Sequence, residues 1–137
     1  MSSAHFAAVR ELLEDFPFTL YEGQVPDRPT FPYAVLFMDT GRGDESGRKM
    51  SGQARAVHDF QVKSVALSDA AVRLVVDAVH SRLVDARPSV SGHRSGLIRH
   101  VTSIPVRADL DVTDPETGLS PMFATDTFSF RSTPITG

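Results

Sequence analysis

Histidine is the residue type with the widest possible chemistry in this sequence, because a neutral imidazole binds transition metals and transfers protons near neutral pH. The sequence contains five histidines, namely His5, His58, His80, His93 and His100. No two of them form a His-x-x-x-His pair on a predicted helix. None has a carboxylate beside it at a metal-ligand spacing that is repeated elsewhere in the sequence. We expect His58 and His100 to face each other across adjacent strands. We predict no metal site and no cofactor.

Two carboxylates, Asp109 and Asp111, have a spacing that would allow general acid–base chemistry. They follow Pro105 in a polar segment rich in turn residues, where an i, i+2 spacing is typical of a solvated turn. The chain has no Gly-x-Ser-x-Gly motif and no cysteine, which excludes that nucleophile elbow and any thiolate nucleophile. We predict that the protein is not an enzyme and has no catalytic residues. The alternative is a small enzyme with a site between the 40–56 loop and these two aspartates.

The glycine-rich segment at about 40–56 resembles a phosphate-binding loop only loosely. None of its glycines is followed directly by lysine, and no helix follows to supply a positive dipole. Long loops in compact domains are usually functional or disordered. We predict a flexible loop that is mobile in the isolated subunit and orders against a protein partner.

Basic residues cluster in this loop, at Arg42, Arg48, Lys49 and Arg55. No aromatic side chain lies nearby to stack on a base, and the net charge of the chain is −3. A nucleic-acid-binding module remains a third hypothesis, which a steep salt dependence of DNA binding would support.

The length of 137 residues is sufficient for one domain with its own core. The start of the chain lacks the pattern of a signal peptide, and no stretch approaches the ~20 apolar residues of a membrane span. We expect a soluble protein without a membrane partner.

The clearest structural pattern is a strand from Val57 to Leu67 that leads directly into a helix. Side chains alternate along the strand, and Ser68 is a predicted N-cap before apolar residues recur at helical spacing. We expect Arg87-Pro88 to end this helix. On its polar face, Arg73 and Asp77 are predicted to form an exposed ion pair.

The remaining elements are predicted from shorter patterns. We expect a first helix capped by Ser3 and ended by Phe16-Pro17, and a turn over 92–96. The last residues, about 132–137, are expected to be loose. The predicted further strands are Thr19–Glu22, Tyr33–Met38, Pro88–Val90, Leu97–Ile104, which Pro105 closes, and Met122–Arg131.

These elements together predict an α+β fold, a two-layer sandwich in which two helices pack on one face of a mostly antiparallel sheet. The strand Tyr33–Met38 is apolar on both faces, which predicts a central strand or one covered by a neighbouring subunit. The proline-rich 25–32 segment is expected to lie along an edge or a neighbour. The predicted core consists of Phe60, Val62, Val72, Val75, Val79, Phe128 and Phe130, with Phe6, Val9 and Leu13 from the first helix.

Six short motifs, arranged around a variable glycine-rich loop, follow an amphipathic N-terminal helix in a fixed order. They are Tyr21–Pro26 (YEGQVP), Pro32–Leu36 (PYAVL), Asp59–Val62 (DFQV) before the Ser68 helix, Gly92–Arg94 (GHR), Pro105–Asp109 (PVRAD) and Phe123–Asp126 (FATD). This layout covers nearly the whole chain and resembles the tail terminator (tail completion) proteins of long-tailed, siphophage-type bacteriophages.

The resemblance implies a structural virion protein that forms a ring, typically six-fold, and caps the head-proximal end of the tail tube. Its expected partners are other copies of itself, the tail-tube protein and a neck or connector protein, with DNA only passing through the ring lumen. Assembly is expected in the host cytoplasm. A neck or head-completion connector of the same particle is the alternative. The residues expected at subunit or partner interfaces are Tyr33, Phe37, Arg42, Arg48, Lys49, Arg55, Asp109 and Asp111.

Overall fold

The computed structural model of the protein describes residues 3–38, 42–43 and 56–135. Within these ranges the chain forms two helices and seven strands. The helices are α1 (Ser3–Leu12) and α2 (Asp69–Leu83). The strands are β1 (Thr19–Glu22), β2 (Tyr33–Met38), β3 (Arg42–Gly43), β4 (Ala56–Ala66), β5 (His93–Ser95), β6 (Arg99–Ala108) and β7 (Met122–Pro134). The predicted flexible loop lies, apart from β3 and Ala56, outside the described residues.

All seven strands belong to one sheet, in which β1, β2, β4, β7 and β5 are neighbours in that order. β3 pairs with β4, and β6 pairs with β7. Only the β1–β2 pair among these is parallel, so the described sheet is mostly antiparallel, which confirms the predicted α+β class. β4 occupies one side of β7 along nearly its whole length, while β6 and β5 share the other side in tandem.

The β4–α2 unit follows the sequence prediction closely. Ser68 has an extended backbone and accepts a hydrogen bond from the Ala71 N–H at 3.2 Å, as an N-cap does. The helix ends at Leu83, earlier than predicted, because Val84 is extended and Asp85 has a φ of 63°. The predicted ion pair is wrong, since the partner of Arg73 at 2.8 Å is Asp69 and not Asp77. An acid four residues before a base is the more favourable order on a helix.

The main core lies between the sheet and the helices. Val72, Val75, Val79 and Leu83 form the buried face of α2, while α1 contributes Val9 and the turn that follows it contributes Leu13. Opposite them, β4 and β7 contribute phenylalanines whose rings stack, with centroids 5.4 Å apart for Phe60 and Phe128. All predicted core residues are buried except Phe6, which is partly buried. This confirms two helices packed on one face, which we call the covered face of the sheet.

The last strand is longer than predicted, and this creates an unpredicted strand beside it. β7 continues to Pro134, where β5 pairs with residues 132–134. The predicted turn over 92–96 is therefore wrong at His93–Ser95, and the predicted strand Pro88–Val90 is not formed. Ser132 is buried in the sheet, so the predicted loose tail is wrong up to Pro134. Residues 136–137 lie outside the described ranges.

The strand β6 runs through Pro105, which was predicted to close it. Proline is tolerated here because β6 is an edge strand that pairs only with β7 among the described strands, so one side needs no backbone N–H. Register shifts interrupt its pairing between His100 and Thr102 and between Ile104 and Arg107. The predicted regular alternation is wrong as a result, since His100 and Ser103 lie on the same face of the sheet.

Candidate functional site

The other face of the sheet, which neither described helix covers and which we call the uncovered face, carries a second, smaller apolar cluster. Tyr33 is 8% exposed and Val35 is buried, and both pack with Val65. Partly buried Tyr21, Phe31 and Phe123 cover them from the same chain. The sequence argument that this side of β2 is hard to leave in water therefore applies only to Phe37, which is 38% exposed at the other end of the strand.

The proline-rich segment before β2 packs on its own subunit. The Thr30 N–H donates a 3.0 Å hydrogen bond to the Tyr21 hydroxyl, and the rings of Phe31 and Tyr33 are 5.3 Å apart. Burial, followed by the proximity of Tyr21 and then of Asp109, raises the pKa of Tyr33. Residues 27–31 face residues 112–117 across a cleft of about 450 Å³. The structure thus brings Tyr33 and Asp109 into one region.

The loop over 109–121 between β6 and β7 has a defined internal hydrogen-bond scheme. The Asp109 N–H donates to the Pro121 carbonyl at 2.8 Å, and the Asp111 N–H lies 3.3 Å from Asp109 Oδ1. Asp114 closes a further turn by accepting from the Thr117 hydroxyl at 2.7 Å. The Asp109 carboxylate therefore contacts the backbone N–H of Asp111 in its own turn. This contact is not an acid–base pair between the two carboxylates.

The β6–β7 hairpin presents an unusual share of the exposed apolar surface. Ten large apolar side chains are exposed among the described residues, and five of them lie on this hairpin. We call these five the hairpin patch, which consists of Val101, Ile104, Leu110, Val112 and Leu119. A sheet edge that exposes several large apolar side chains is a candidate surface for binding another protein.

The opposite edge of the sheet has a different character. There β1 and α1 border a groove of about 590 Å³. Phe16, Phe18 and Leu20 contribute its apolar wall, and α1 and the turn after it contribute Arg10, Glu11 and Glu14. Arg10 also lies 3.4 Å from Glu22 on β1. The subunit therefore has an apolar hairpin at one edge and a groove with charged walls at the other.

The remaining predicted interface residues can be placed only in part. Arg42 forms a backbone pair with Val57, but its side chain is outside the described set, as are Arg48, Lys49 and Arg55. Phe37 borders a shallow depression of about 250 Å³ with Gln61 and Thr127 on the uncovered face. These residues remain predicted interface residues.

The histidines form two clusters that the sequence did not indicate. His58 pairs with Phe130 and His100 pairs with Phe128, on opposite sides of β7, so the predicted contact between the two histidines is wrong. Instead, the rings of His5 and His58 are 4.3 Å apart, and His93 is 4.8 Å from His5. The second cluster consists of His80, His100 and Asp126, whose ligand atoms lie within 4.8 Å of one another.

The first histidine cluster lies, with His5 and His58 buried, where α1 packs on β4 and β7. His5 Nε2 is hydrogen-bonded to Ser132 Oγ at 2.8 Å, and His58 is 4% exposed. Burial, followed by the proximity of His5, lowers the pKa of His58 to about 4. Burial also lowers the pKa of His5. His58 is accordingly a neutral, structural side chain near neutral pH.

In the described part of the chain, neither helix has the length and apolar character needed to cross a membrane.

Comparison with known proteins identifies the family. The family model described as "Tail completion protein gp17" matches residues 4–125. A solved structure titled "Virion of native gene transfer agent (GTA) particle" contains a similar chain, with a TM-score of 0.69 and 20% sequence identity. The match covers 96% of this chain and 99% of that chain, which shows a shared fold. No curated protein matches. The chain belongs to the tail completion protein gp17 family, and it is a structural protein of a phage-type virion tail.

Proposed function

We propose that copies of this chain form a closed ring, six-fold as the resemblance to tail terminators implies, at the head-proximal end of the tail tube. The ring ends tube polymerisation and offers its other surface to the neck. Its partners are the tail-tube protein and a neck or connector protein, and the DNA passes through its lumen. Assembly takes place in the host cytoplasm.

The observation that carries this proposal is the difference between the two edges of the sheet. A ring needs heterologous contacts, in which one patch of each subunit meets a different patch of the next. The hairpin patch and the α1–β1 groove provide two such unlike surfaces at β6 and β1, the opposite edges of the sheet. The apolar side chains of the patch gain most from being covered by a neighbouring subunit.

The composition of these surfaces also fits a subunit that is made before its tube is complete. The groove has Arg10, Glu11 and Glu14 beside its apolar residues, and the hairpin loop has Asp109 and Asp111 beside Leu110. Partly polar contacts keep a free subunit in solution and make its self-association weak. A tube end that binds several subunits side by side then favours ring closure by mass action.

The first test is to measure the mass of the purified protein across a concentration series, with and without tail tubes, and to look for rings by electron microscopy. The Val101→Asp variant places a charge in the hairpin patch and should reduce both ring formation and the capping of tube ends. The matched control is Leu74→Asp on the outer face of α2, because Leu74 is 61% exposed and Val101 is 59% exposed. Leu74→Asp should assemble like the unmodified protein.

A protein that stays monomeric at high concentration and on tube ends would contradict the ring. Normal capping by Val101→Asp would contradict this use of the hairpin patch. Tyr33→Asp is unsuitable as an interface test, since Tyr33 is buried within its own subunit and the charge would destabilise the fold.

A further inference from the structure

Three side chains from separate elements converge at one point of the covered face. His80 lies near the end of α2, His100 near the start of β6, and Asp126 within β7. Asp126 Oδ1 lies 3.0 Å from His100 Nε2 and 3.3 Å from His80 Nε2. The cluster therefore joins the helix layer to the edge of the sheet.

Asp126 is a carboxylate in an unfavourable position for a charge. Its side chain is 3% exposed, and it lies between Ala124 and Phe128 on the covered face, across from Val62 on β4. A buried carboxylate needs compensating cations and hydrogen bonds. All the contacts described for Asp126 involve Oδ1, whereas Oδ2 is buried without a hydrogen-bond partner.

The contact between His80 and Asp126 also differs from an ordinary hydrogen bond. His80 Nε2 is buried and makes no hydrogen bond, although it lies 3.3 Å from the carboxylate oxygen. At that distance the N–H of a donor normally points at its acceptor. Two ligand atoms of one metal ion instead point their lone pairs at the ion, and so they do not point at each other.

Two of the three distances between ligand atoms are close to those of a tetrahedral transition-metal site, and all three atoms lie within 4.8 Å of one another. Zinc binds histidine nitrogen and carboxylate oxygen at about 2.0–2.2 Å, so two ligand atoms of a tetrahedral site lie roughly 3.3–3.5 Å apart. The 3.0 and 3.3 Å separations in the cluster are close to this value. Two imidazoles with one carboxylate favour zinc and similar ions over calcium or magnesium, which prefer oxygen ligands.

A route for the ion and for a fourth ligand is present beside the cluster. Asp126 and Ser103 border a surface depression of about 280 Å³ between α2 and β6, together with Val76 and Ile104. The Ser103 hydroxyl lies 2.8 Å from His100 Nε2 and 2.5 Å from Asp126 Oδ1. It can therefore donate a hydrogen bond to the carboxylate oxygen that binds the metal, as a residue of the outer coordination shell does. Water entering from the depression can complete the coordination.

We propose that His80, His100 and Asp126 bind one divalent transition-metal ion, Zn²⁺ in the first instance, with water as the fourth ligand. The bound ion supplies the positive charge that the buried carboxylate requires. It also ties β6, which has β7 as its one neighbour among the described strands, to α2. This site is independent of ring formation, so either proposal can fail without the other.

The test is Zn²⁺ binding to the untagged, chelator-treated protein, measured by competition with a chromophoric chelator. We expect one Zn²⁺ per chain, and Co²⁺ should give the visible absorption of a tetrahedral complex. His80→Gln and His100→Gln should each weaken binding at least about 100-fold, since even changes to outer-shell partners cost about 10–100-fold. The matched control is His93→Gln in the other histidine cluster, which should bind like the unmodified protein.

Binding of less than one Zn²⁺ per chain by the unmodified protein would overturn the site and leave Asp126 as a structural partner of His100 and Ser103. Unchanged affinity in both His80→Gln and His100→Gln would overturn it as well. Zn²⁺ should also raise the Tm of the unmodified protein and of His93→Gln, but not that of the two ligand variants. The Co²⁺ spectrum and the stoichiometry of the unmodified protein remain decisive if a variant fails to fold.

Discussion

The two faces of the sheet differ in what covers them. The covered face is closed by α1 and α2, its strands present phenylalanines and small residues, and the two histidine clusters lie between the strands and the helices. Among the described residues, the uncovered face has the small cluster around Tyr33, and towards Phe37 it presents Gln61 and Thr127. β7 takes part in both, with Phe128 and Phe130 on one side and Thr125, Thr127 and Ser129 on the other. The difference teaches that stability is concentrated on one face, which leaves the other face and the edges free to contact partners.

The largest expected effect is on the covered face. Phe128→Ala should lower the free energy of unfolding by about 3–5 kcal/mol, because it removes a fully buried ring and leaves a cavity. Val75→Ala, which removes less volume, should cost about 2 kcal/mol. Denaturant unfolding followed by circular dichroism measures both. A loss below about 1 kcal/mol for Phe128→Ala would contradict the packing described for this face.

The second effect tests the buried histidine cluster through pH. The pKa of His58 is lowered to about 4 from 6.5, so the unfolded chain takes up the proton first as the pH falls. The stability from neutral His58 is present above pH 6.5 and is lost between 6.5 and about 4. From about pH 7 to about pH 5, His58 alone should cost about 2 kcal/mol of unfolding free energy.

His58→Leu is the variant that isolates this contribution, because it keeps an apolar side chain of similar size at a buried position. Its unfolding free energy should change less over the same pH interval, while that of His93→Gln should follow the unmodified protein more closely. An equal pH dependence in His58→Leu and the unmodified protein would show that His58 does not carry the effect.

The third prediction concerns a substitution that should affect assembly more than stability. Phe37→Asp should lower the free energy of unfolding by about 1–2 kcal/mol, less than Phe128→Ala, since Phe37 is already 38% exposed on the uncovered face. If Phe37 lies at the subunit boundary, the charge should block ring formation and tube capping. Sedimentation and electron microscopy measure assembly, and denaturant unfolding measures stability. Normal capping by this variant would remove Phe37 from the interface.

The smallest effect is expected on the outer face of α2. Arg73→Ala removes the exposed pair with Asp69 and should cost about 0.2–0.5 kcal/mol, a loss that salt should reduce. Asp77→Ala should cost less, because its predicted ion pair with Arg73 is not formed. Neither variant should change assembly. A double-mutant cycle with Asp69→Ala measures the coupling energy, and a value near zero would show that the pair contributes nothing.

Sequence reasoning was most successful where a local pattern decides the structure. The alternation in β4, the N-cap Ser68 and the helical spacing of valines in α2 all act within a few residues, so the strand, the helix and the core residues could be predicted. Phe128 and Phe130 were also assigned correctly, because their alternation with hydroxyl residues is local.

The errors arose where a distant partner decides the structure. β5 exists because β7 extends to Pro134, and the register of β6 shifts at two points along its pairing with β7. The burial of Tyr33 depends on Tyr21, Phe31 and Phe123, which lie far apart in the chain. The approach of His80, His100 and Asp126 depends on this same register, so no spacing in the sequence could indicate it. Given a β6–β7 pairing, the meeting of His100 with Asp126 would have been the detectable signal.

The proline within β6 affects whether free subunits aggregate at high concentration. A long free strand edge offers its backbone as a template on which other chains can stack into fibres. Pro105 cannot donate to an incoming strand, and of the two register shifts that bend the ladder, one precedes Pro105 and the other includes it. An incoming strand therefore finds only short stretches of aligned backbone on β6. Free subunits can therefore reach a high concentration without aggregating through the edge of β6. A contact that does form at this edge depends on complementary side chains and not on backbone pairing.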